Sequence, residues 1–211
     1  MNLLARKLAH LLAENADDTF FEDEIRYGLE IVLGALLQIV LIALVAMLLG
    51  IVKEVLVIVC TAALYRRSTG GPHCKTYVRC TVTSLLIFIT LGFIIKFIPV
   101  NYLPVYITCL AIFSVLVIHL YVPVDNPINI ISDESIIRKL KRQSYLVLLL
   151  FLLITITSYV LSQEMIIITM LTGLLWQNFT LLPWGQAFIR SLDLLFERIE
   201  GLLKRKEVMK C

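Results

Sequence analysis

The sequence predicts an all-α integral membrane protein with six transmembrane helices, an amphipathic helix at each end and both termini in the cytosol. Of its 211 residues, 59% are hydrophobic, well above the roughly 45 to 50% typical of soluble domains. Several nearly uncharged stretches approach the roughly 20 residues that a helix needs to cross a bilayer. The positive charges fall between these stretches in alternate connections. We therefore expect a single polytopic membrane domain over residues 1–211.

The elements of this domain follow in chain order. Residues 1–27 carry a short apolar stripe at helical spacing among many acidic residues, and they are predicted to lie on the membrane surface rather than to form a cleavable signal peptide. Residues 28–182 form the six-span core. Five spans are predicted directly from their length and low charge, at 29–49, 81–98, 102–122, 145–161 and 165–182.

The second span, residues 51–65, is predicted from the distribution of charge. Its own signal is weak because Lys53 and a neighbouring acid shorten the apolar run. With six spans, all Lys and Arg residues except Lys53 and Lys96 lie on one face, which the positive-inside rule assigns to the cytosol. Without it, the four cations of the 66–80 loop would be exported. The same reasoning makes the long polar connection at 123–144 cytosolic.

The tail, residues 183–211, is predicted to be a second amphipathic helix. Apolar side chains recur at helical spacing, and charged residues occupy the opposite face. This pattern favours an interfacial anchor in the cytosolic leaflet. The alternative is a docking surface for another amphipathic helix.

The loop at residues 66–80 reads RRSTGGPHCKTYVRC and carries the chemistry of the chain. A nucleophilic cysteine needs a nearby base, cations or a helix amino terminus to form its thiolate. Cys80 is predicted to open the third span, with Arg79 adjacent, Lys75 nearby and His73 seven residues earlier. Its pKa is therefore expected to fall below the ordinary thiol value of about 8.5.

The distance between His73 and Cys80 sets a condition on this prediction. On one straight helix, residues seven positions apart are separated by about 10 Å along the axis, too far for proton transfer. The Gly70–Gly71–Pro72 sequence disfavours such a helix because glycine adds backbone freedom and proline interrupts the hydrogen bonds. We therefore predict a chain reversal that brings the imidazole over Cys80.

Other roles for these residues stay open on the sequence. Cys74 competes as the nucleophile, although adjacent side chains diverge and pairing it with His73 is harder. A metal site built from His73, Cys74 and Cys80 lacks a fourth local ligand, so no metal or cofactor is predicted. Asp125 is a candidate for orienting the histidine, but a turn explains it equally well.

These motifs resemble the accessory gene regulator protein B (AgrB) family. The resemblance rests on RRSTGGPH at 66–73, Cys80 at the start of a span, YVPVDNPIN at 121–129 and the six-span layout. It implies a membrane cysteine endopeptidase of Gram-positive quorum sensing that processes AgrD-type precursors of cyclic autoinducing peptides. It also implies that His73 is the base and Cys80 the nucleophile, that the enzyme is a homodimer in the bacterial cell membrane, and that its active site faces the cytosol.

The resemblance also implies a substrate with an acidic carboxy-terminal tail. Four cations of the loop would suit that tail by charge complementarity, and they are the candidate substrate-binding residues Arg66, Arg67, Lys75 and Arg79. The positive-inside rule alone explains the same charges, and both explanations can hold. We expect a peptide and the lipid bilayer as partners, and no nucleic acid.

Two further classes of function compete with the peptidase. A multi-pass peptide transporter is favoured by polar residues within or near spans, which often mark a pathway, namely Gln38, Lys96, Gln177 and Asn178. The sequence lacks the paired glycine or proline interruptions of a broken-helix carrier. A noncatalytic membrane scaffold would use only the amphipathic ends.

Overall fold

The computed structural model describes residues 22–124 and 133–208, and helices dominate both ranges. Two short 3-10 turns, Ile95–Phe97 and Val100–Tyr102, join the third helix to the fourth. The predicted amino-terminal stripe and Asp125 lie outside the described residues. The α-helices of the described ranges are α1 (Glu22–Leu48), α2 (Val52–Thr69), α3 (Tyr77–Ile94), α4 (Leu103–Tyr121), α5 (Glu134–Val160), α6 (Glu164–Leu181) and α7 (Pro183–Val208).

Four helical segments in the described part are long and apolar enough to cross a membrane: Gly28–Leu48, Tyr77–Phe97, Val100–Tyr121 and Glu134–Val160. A fifth joins them if α6 and α7, which meet at an angle of 86°, are counted as one bent span. The prediction of an all-α protein with several membrane-spanning helices is therefore confirmed. The count of six spans and the cytosolic position of the termini stay predictions.

Helices α2 and α6 form the centre of the bundle. Tyr65 and Ile58 of α2 are fully buried, as is Ile167 of α6. Gly173 lets the two helices approach closely, because a Cβ atom there would lie 2.8 Å from the Ile58 carbonyl oxygen. Neighbouring helices cover much of α2, and its charged residues lie near its two ends. This explains why its hydropathy signal is weak.

The cationic connections meet at one end of the bundle. Gly70, just after α2, pairs with Val124, just after α4. Near the start of α5, Lys141 Nζ donates to the His119 carbonyl at the end of α4, at 2.9 Å. The carboxy-terminal ends of α2 and α4 therefore lie beside the amino-terminal part of α5. This is the antiparallel arrangement that the charge distribution requires.

Two helices extend beyond the apolar runs from which the spans were predicted. Helix α1 begins at Glu22, so the end of the predicted interfacial segment 1–27 is already helix. Much of the predicted polar connection 123–144 belongs to α5, whose first turn is capped by Asp133 accepting a hydrogen bond from Ser135 N at 2.7 Å. The Asp133 cap thus defines the start of α5.

The predicted tail helix begins where expected and turns sharply away from α6. Pro183 is the first residue of α7, and Leu182 before it has the extended backbone that a following proline imposes. Gly185 fits the corner because a Cβ atom there would lie 1.9 Å from the Phe179 carbonyl oxygen. The Phe179 ring packs edge-on against Phe188 with 6.0 Å between centroids. The bend directs α7 across the start of α3.

Candidate active site

A tight chain reversal separates α2 from α3. Because α2 continues through Thr69 and α3 begins at Tyr77, the predicted 66–80 loop shortens to residues 70–76. Gly70 and Gly71 have φ angles of +76° and +143°, values that favour glycine. A Cβ atom at Gly70 would lie 2.2 Å from the Val124 carbonyl oxygen. The two glycines therefore permit both the turn and its close contact with the chain after α4.

Hydrogen bonds from two other parts of the chain hold this reversal. Gly71 N donates to Val124 O at 3.2 Å, and Val124 N donates to Thr69 O at 2.9 Å. From α6, the buried Gln177 side chain donates to Thr69 Oγ1 at 3.0 Å and to Gly70 O at 2.9 Å. The turn is thus fixed to both α6 and the segment that follows α4.

Cys80 lies in the first turn of α3. Thr76 caps this helix by accepting a hydrogen bond from Arg79 N at 3.4 Å, and Cys80 N donates to Thr76 O at 3.0 Å. The helix begins at Tyr77, three residues earlier than predicted, but Cys80 keeps its place near the amino terminus. Its side chain is half-buried.

The reversal brings His73 and Cys80 together. His73 is exposed in the loop, and its imidazole lies close enough to the Cys80 sulfur to interact with it. The two residues therefore do not share a straight helix. A base beside a nucleophile is the arrangement from which proton abstraction can proceed.

Cys74 also reaches Cys80, which the sequence reasoning missed. Its sulfur lies 3.8 Å from Thr83 Oγ1 on α3, and its thiol interacts with Cys80. This interaction, together with burial, raises the pKa of the Cys74 thiol. The raised pKa disfavours the Cys74 thiolate, which makes Cys74 the weaker candidate for the nucleophile. No spacing within the loop predicts its contact with α3.

Arg66 and Arg67 end α2 and have different surroundings. The Arg66 guanidinium donates to the Pro72 carbonyl and packs against Gly71, where a Cβ atom would lie 3.0 Å from its Nη1. It also lies near enough to both loop sulfurs to interact electrostatically. Arg66 is therefore part of the loop structure. Arg67 is exposed on the last turn of α2.

Lys75 and Arg79 contact acidic residues of α7. Arg79 makes a bidentate contact with Glu200, at 3.2 Å from Nε and 2.8 Å from Nη2. Its Nη1 lies 3.6 Å from both Asp193 Oδ1 and Glu197 Oε2. The Lys75 ammonium lies 3.3 Å from Glu197 Oε2. Two of the four candidate substrate-binding cations are therefore already paired within the chain.

The buried amides of α6 make bonds within the bundle. Asn178 accepts from Tyr65 Oη at 3.3 Å and donates to Ser114 Oγ at 2.6 Å, while Gln177 holds the loop. Polar side chains of this kind join membrane helices. Lys96 lies at the end of its span, 5.7 Å from the Phe93 ring centroid. These contacts account for three of the residues that favoured a transporter.

The described residues contain no group of three or more His, Cys, Asp or Glu side chains arranged to hold a metal ion. Asp125 cannot be placed relative to His73 because it lies outside the described residues.

Comparison with known proteins identifies the family. The accessory gene regulator B model matches residues 4–181. The chain belongs to the AgrB family. It is 25% identical to an AgrB-like protein of Clostridium perfringens strain SM101 over 90% of this chain and 97% of the relative. It is 27% identical to accessory gene regulator protein B of Staphylococcus aureus strain RF122, over 76% of this chain and 82% of the relative.

No solved structure gives a significant match. The family match confirms the resemblance drawn from the 66–80 motif and the span pattern. It supports a role in accessory gene regulator quorum sensing and is consistent with a processing enzyme.

Proposed function

We propose that this AgrB family member is a membrane cysteine endopeptidase that removes the carboxy-terminal tail of an AgrD-like precursor peptide and closes a thiolactone ring. The observation that carries the proposal is the chain reversal at 70–76, which brings His73 beside Cys80 at the amino terminus of α3. This contact supplies a base and a nucleophile at a helix end that favours negative charge. The helix count and the cationic end of the bundle support a multi-pass protein whose active site faces the cytosol.

The first half of the reaction forms an acyl-enzyme. His73 takes the proton of Cys80, and the resulting thiolate attacks the scissile carbonyl carbon to form a carbon–sulfur bond. The tetrahedral intermediate collapses, the peptide carbon–nitrogen bond breaks, and the protonated His73 gives its proton to the leaving amine. The released product is the carboxy-terminal tail. The remaining peptide is a thioester of Cys80.

The second half exchanges one thioester for another. The precursor's own cysteine thiol loses its proton to His73 and attacks the acyl carbon. Cys80 leaves as a thiol after it recovers that proton, and the peptide becomes a thiolactone. Because a thioester replaces a thioester, the step needs no ATP.

The start of α3 also supplies candidate oxyanion donors. The Cys80 N–H already donates a hydrogen bond to Thr76 O, and the Arg79 N–H donates one to Thr76 Oγ1. We therefore assign the oxyanion contact to the N–H groups of Tyr77 and Val78, the two preceding residues of the first turn. Cys74, as a protonated neighbour, stabilises the thiolate but forms no bond to the substrate.

Coexpression with the precursor tests the proposal. Cys80→Ala and His73→Ala are each expected to abolish release of the tail. Cys74→Ala should still release it, because Cys74 is not the nucleophile. When the internal cysteine of the precursor is replaced by alanine, mass spectrometry should detect enzyme whose Cys80 is acylated by the precursor fragment. Tail release that survives Cys80→Ala would place the nucleophile elsewhere and end the peptidase assignment.

A further inference from the structure

The acidic residues of α7 occupy the cationic surface beside Cys80. We call Asp193, Glu197 and Glu200 the α7 acidic stripe. Their spacing places them on one face of α7, and all three contact Arg79. This helix begins after Leu181, where the family match ends. The three acidic residues therefore lie outside the residues that the family model matches, whereas Arg79 lies within them.

We propose that the α7 acidic stripe is a built-in occupant of an acidic-peptide site formed by Lys75 and Arg79, and that an acidic segment of a substrate competes with it. This proposal rests on the proposed function in one respect, that the substrate lies at Cys80. A surface that already holds three carboxylates beside the nucleophile has the charge and spacing to hold those of an acidic peptide. The docked α7 thus limits access to these cations.

The accessibility of the contacts divides the stripe into an anchor and an exchangeable part. The Asp193 side chain is only 6% exposed, and its Oδ1 also accepts a hydrogen bond from Lys75 N at 3.4 Å. In contrast, Glu197 and Glu200 are 46% and 45% exposed, and Lys75 is 65% exposed. Partly exposed ion pairs are weak and exchange with solvent and ions. An incoming acidic peptide therefore replaces Glu197 and Glu200 first.

Movement of α7 would also open the surface beneath it. An apolar groove of about 310 Å³ lies between α3 and α7, with Thr83 and Leu86 on one wall and Phe188 and Phe196 on the other. Thr83 contacts Cys74, so the groove begins next to the cysteine pair. Displacing the acidic face of α7 changes one wall of this groove. Binding of an acidic peptide at Lys75 and Arg79 would thereby also change the groove next to Cys80.

Binding of a fluorescent six-glutamate peptide tests the competition without requiring catalysis. The full chain is placed in phosphatidylcholine nanodiscs, and anisotropy is measured at low salt. We expect Glu197→Gln/Glu200→Gln to bind the peptide about tenfold more tightly than wild type, a change equivalent to about 1.4 kcal/mol. Adding Lys75→Gln should remove most of that gain. The matched control is Glu134→Gln, which removes one exposed negative charge at the start of α5 and should bind as wild type.

Hydrogen exchange identifies the competitor. In wild type, saturating peptide should accelerate amide exchange in residues 190–200. Equal peptide affinity in wild type and the double variant, or tight binding that leaves exchange in α7 unchanged, would overturn the proposal. If no variant releases a tail but the binding contrast persists, the proposed peptidase function has failed and this inference has not.

Discussion

Gln177 provides the sharpest test of how the structure holds the loop. Its amide makes two of the four hydrogen bonds described above for the reversal, to Thr69 Oγ1 at 3.0 Å and Gly70 O at 2.9 Å. Gln177→Met keeps the length of the side chain and removes both donors. The other two bonds, between the turn and Val124, remain. The change therefore weakens the loop without altering either residue of the His73–Cys80 pair.

The expected magnitude follows from the bonds lost. A buried hydrogen bond contributes a net of about 0.5 to 1.5 kcal/mol in proteins, and side-chain bonds between membrane helices average about 0.6 kcal/mol. Losing two bonds should therefore cost the docked loop about 1 to 2 kcal/mol. Since each 1.4 kcal/mol is a factor of ten, we expect tail release per folded molecule to fall roughly 5- to 30-fold.

The neighbouring amide supplies the matched control. Asn178→Leu removes the bonds to Tyr65 and Ser114, which lie within the bundle and do not touch the loop. Both variants should lower thermal stability by a similar amount, measured by unfolding in detergent. Only Gln177→Met should slow release of the tail by purified protein in vesicles. Wild-type release by this variant, or an equal loss in Asn178→Leu, would refute the assignment of the loop to Gln177.

A double-mutant cycle adds an independent test. Thr69→Val removes the Oγ1 acceptor, so its effect overlaps with that of Gln177→Met. The combined loss should be smaller than the sum of the two single losses. Strict additivity would show that the bond contributes nothing to activity.

The remaining predictions concern packing and reactivity. Gly173→Ala should lower the melting temperature because its Cβ would press on α2, whereas Gly201→Ala, with no neighbour within 4 Å, should not; equal effects would contradict the close packing. Gly70→Ala should stop tail release while the bundle still folds, because alanine is strained at the φ of +76° that the turn requires. Normal tail release by this variant would contradict the role given to the turn. With iodoacetamide at pH 7 to 9, Cys74 should be modified more slowly than Cys80, because its raised pKa leaves little thiolate. Faster modification of Cys74, read by peptide mass spectrometry, would reverse their roles.

The sequence predicted the lipid-facing helices more easily than the central ones. Lipid requires long apolar surfaces, and the spans of α1, α3, α4 and α5 carry that signal directly. Helix α2 is different because the other helices surround much of it, and Thr61 and Thr69 are among its buried residues. Its place was inferred from the loop charges that would otherwise lie on the wrong face. The structure supports the helix and its direction, while the number of spans remains a prediction.

Local chemistry predicted the reversal before His73 and Cys80, but not its supports. The glycines and proline of the loop show that the chain must leave a helix there. By contrast, Gln177 is 108 residues from Thr69 in the chain, and Glu197 is 122 residues from Lys75. Such contacts depend on how α6 and α7 pack, and no spacing within the loop encodes them. The amphipathic pattern predicted α7 itself, but not the surface it would cover.

The position of Arg79 explains why α7 matters to the chemistry. A cation in the first turn of a helix is electrostatically unfavourable, because the amino-terminal end already carries partial positive charge. Arg79 is nevertheless buried there, beside Cys80, so it requires carboxylates from elsewhere. The α7 acidic stripe supplies them. An acidic peptide that displaces α7 must therefore supply carboxylates of its own to Arg79, so only an acidic segment can take the place of the stripe.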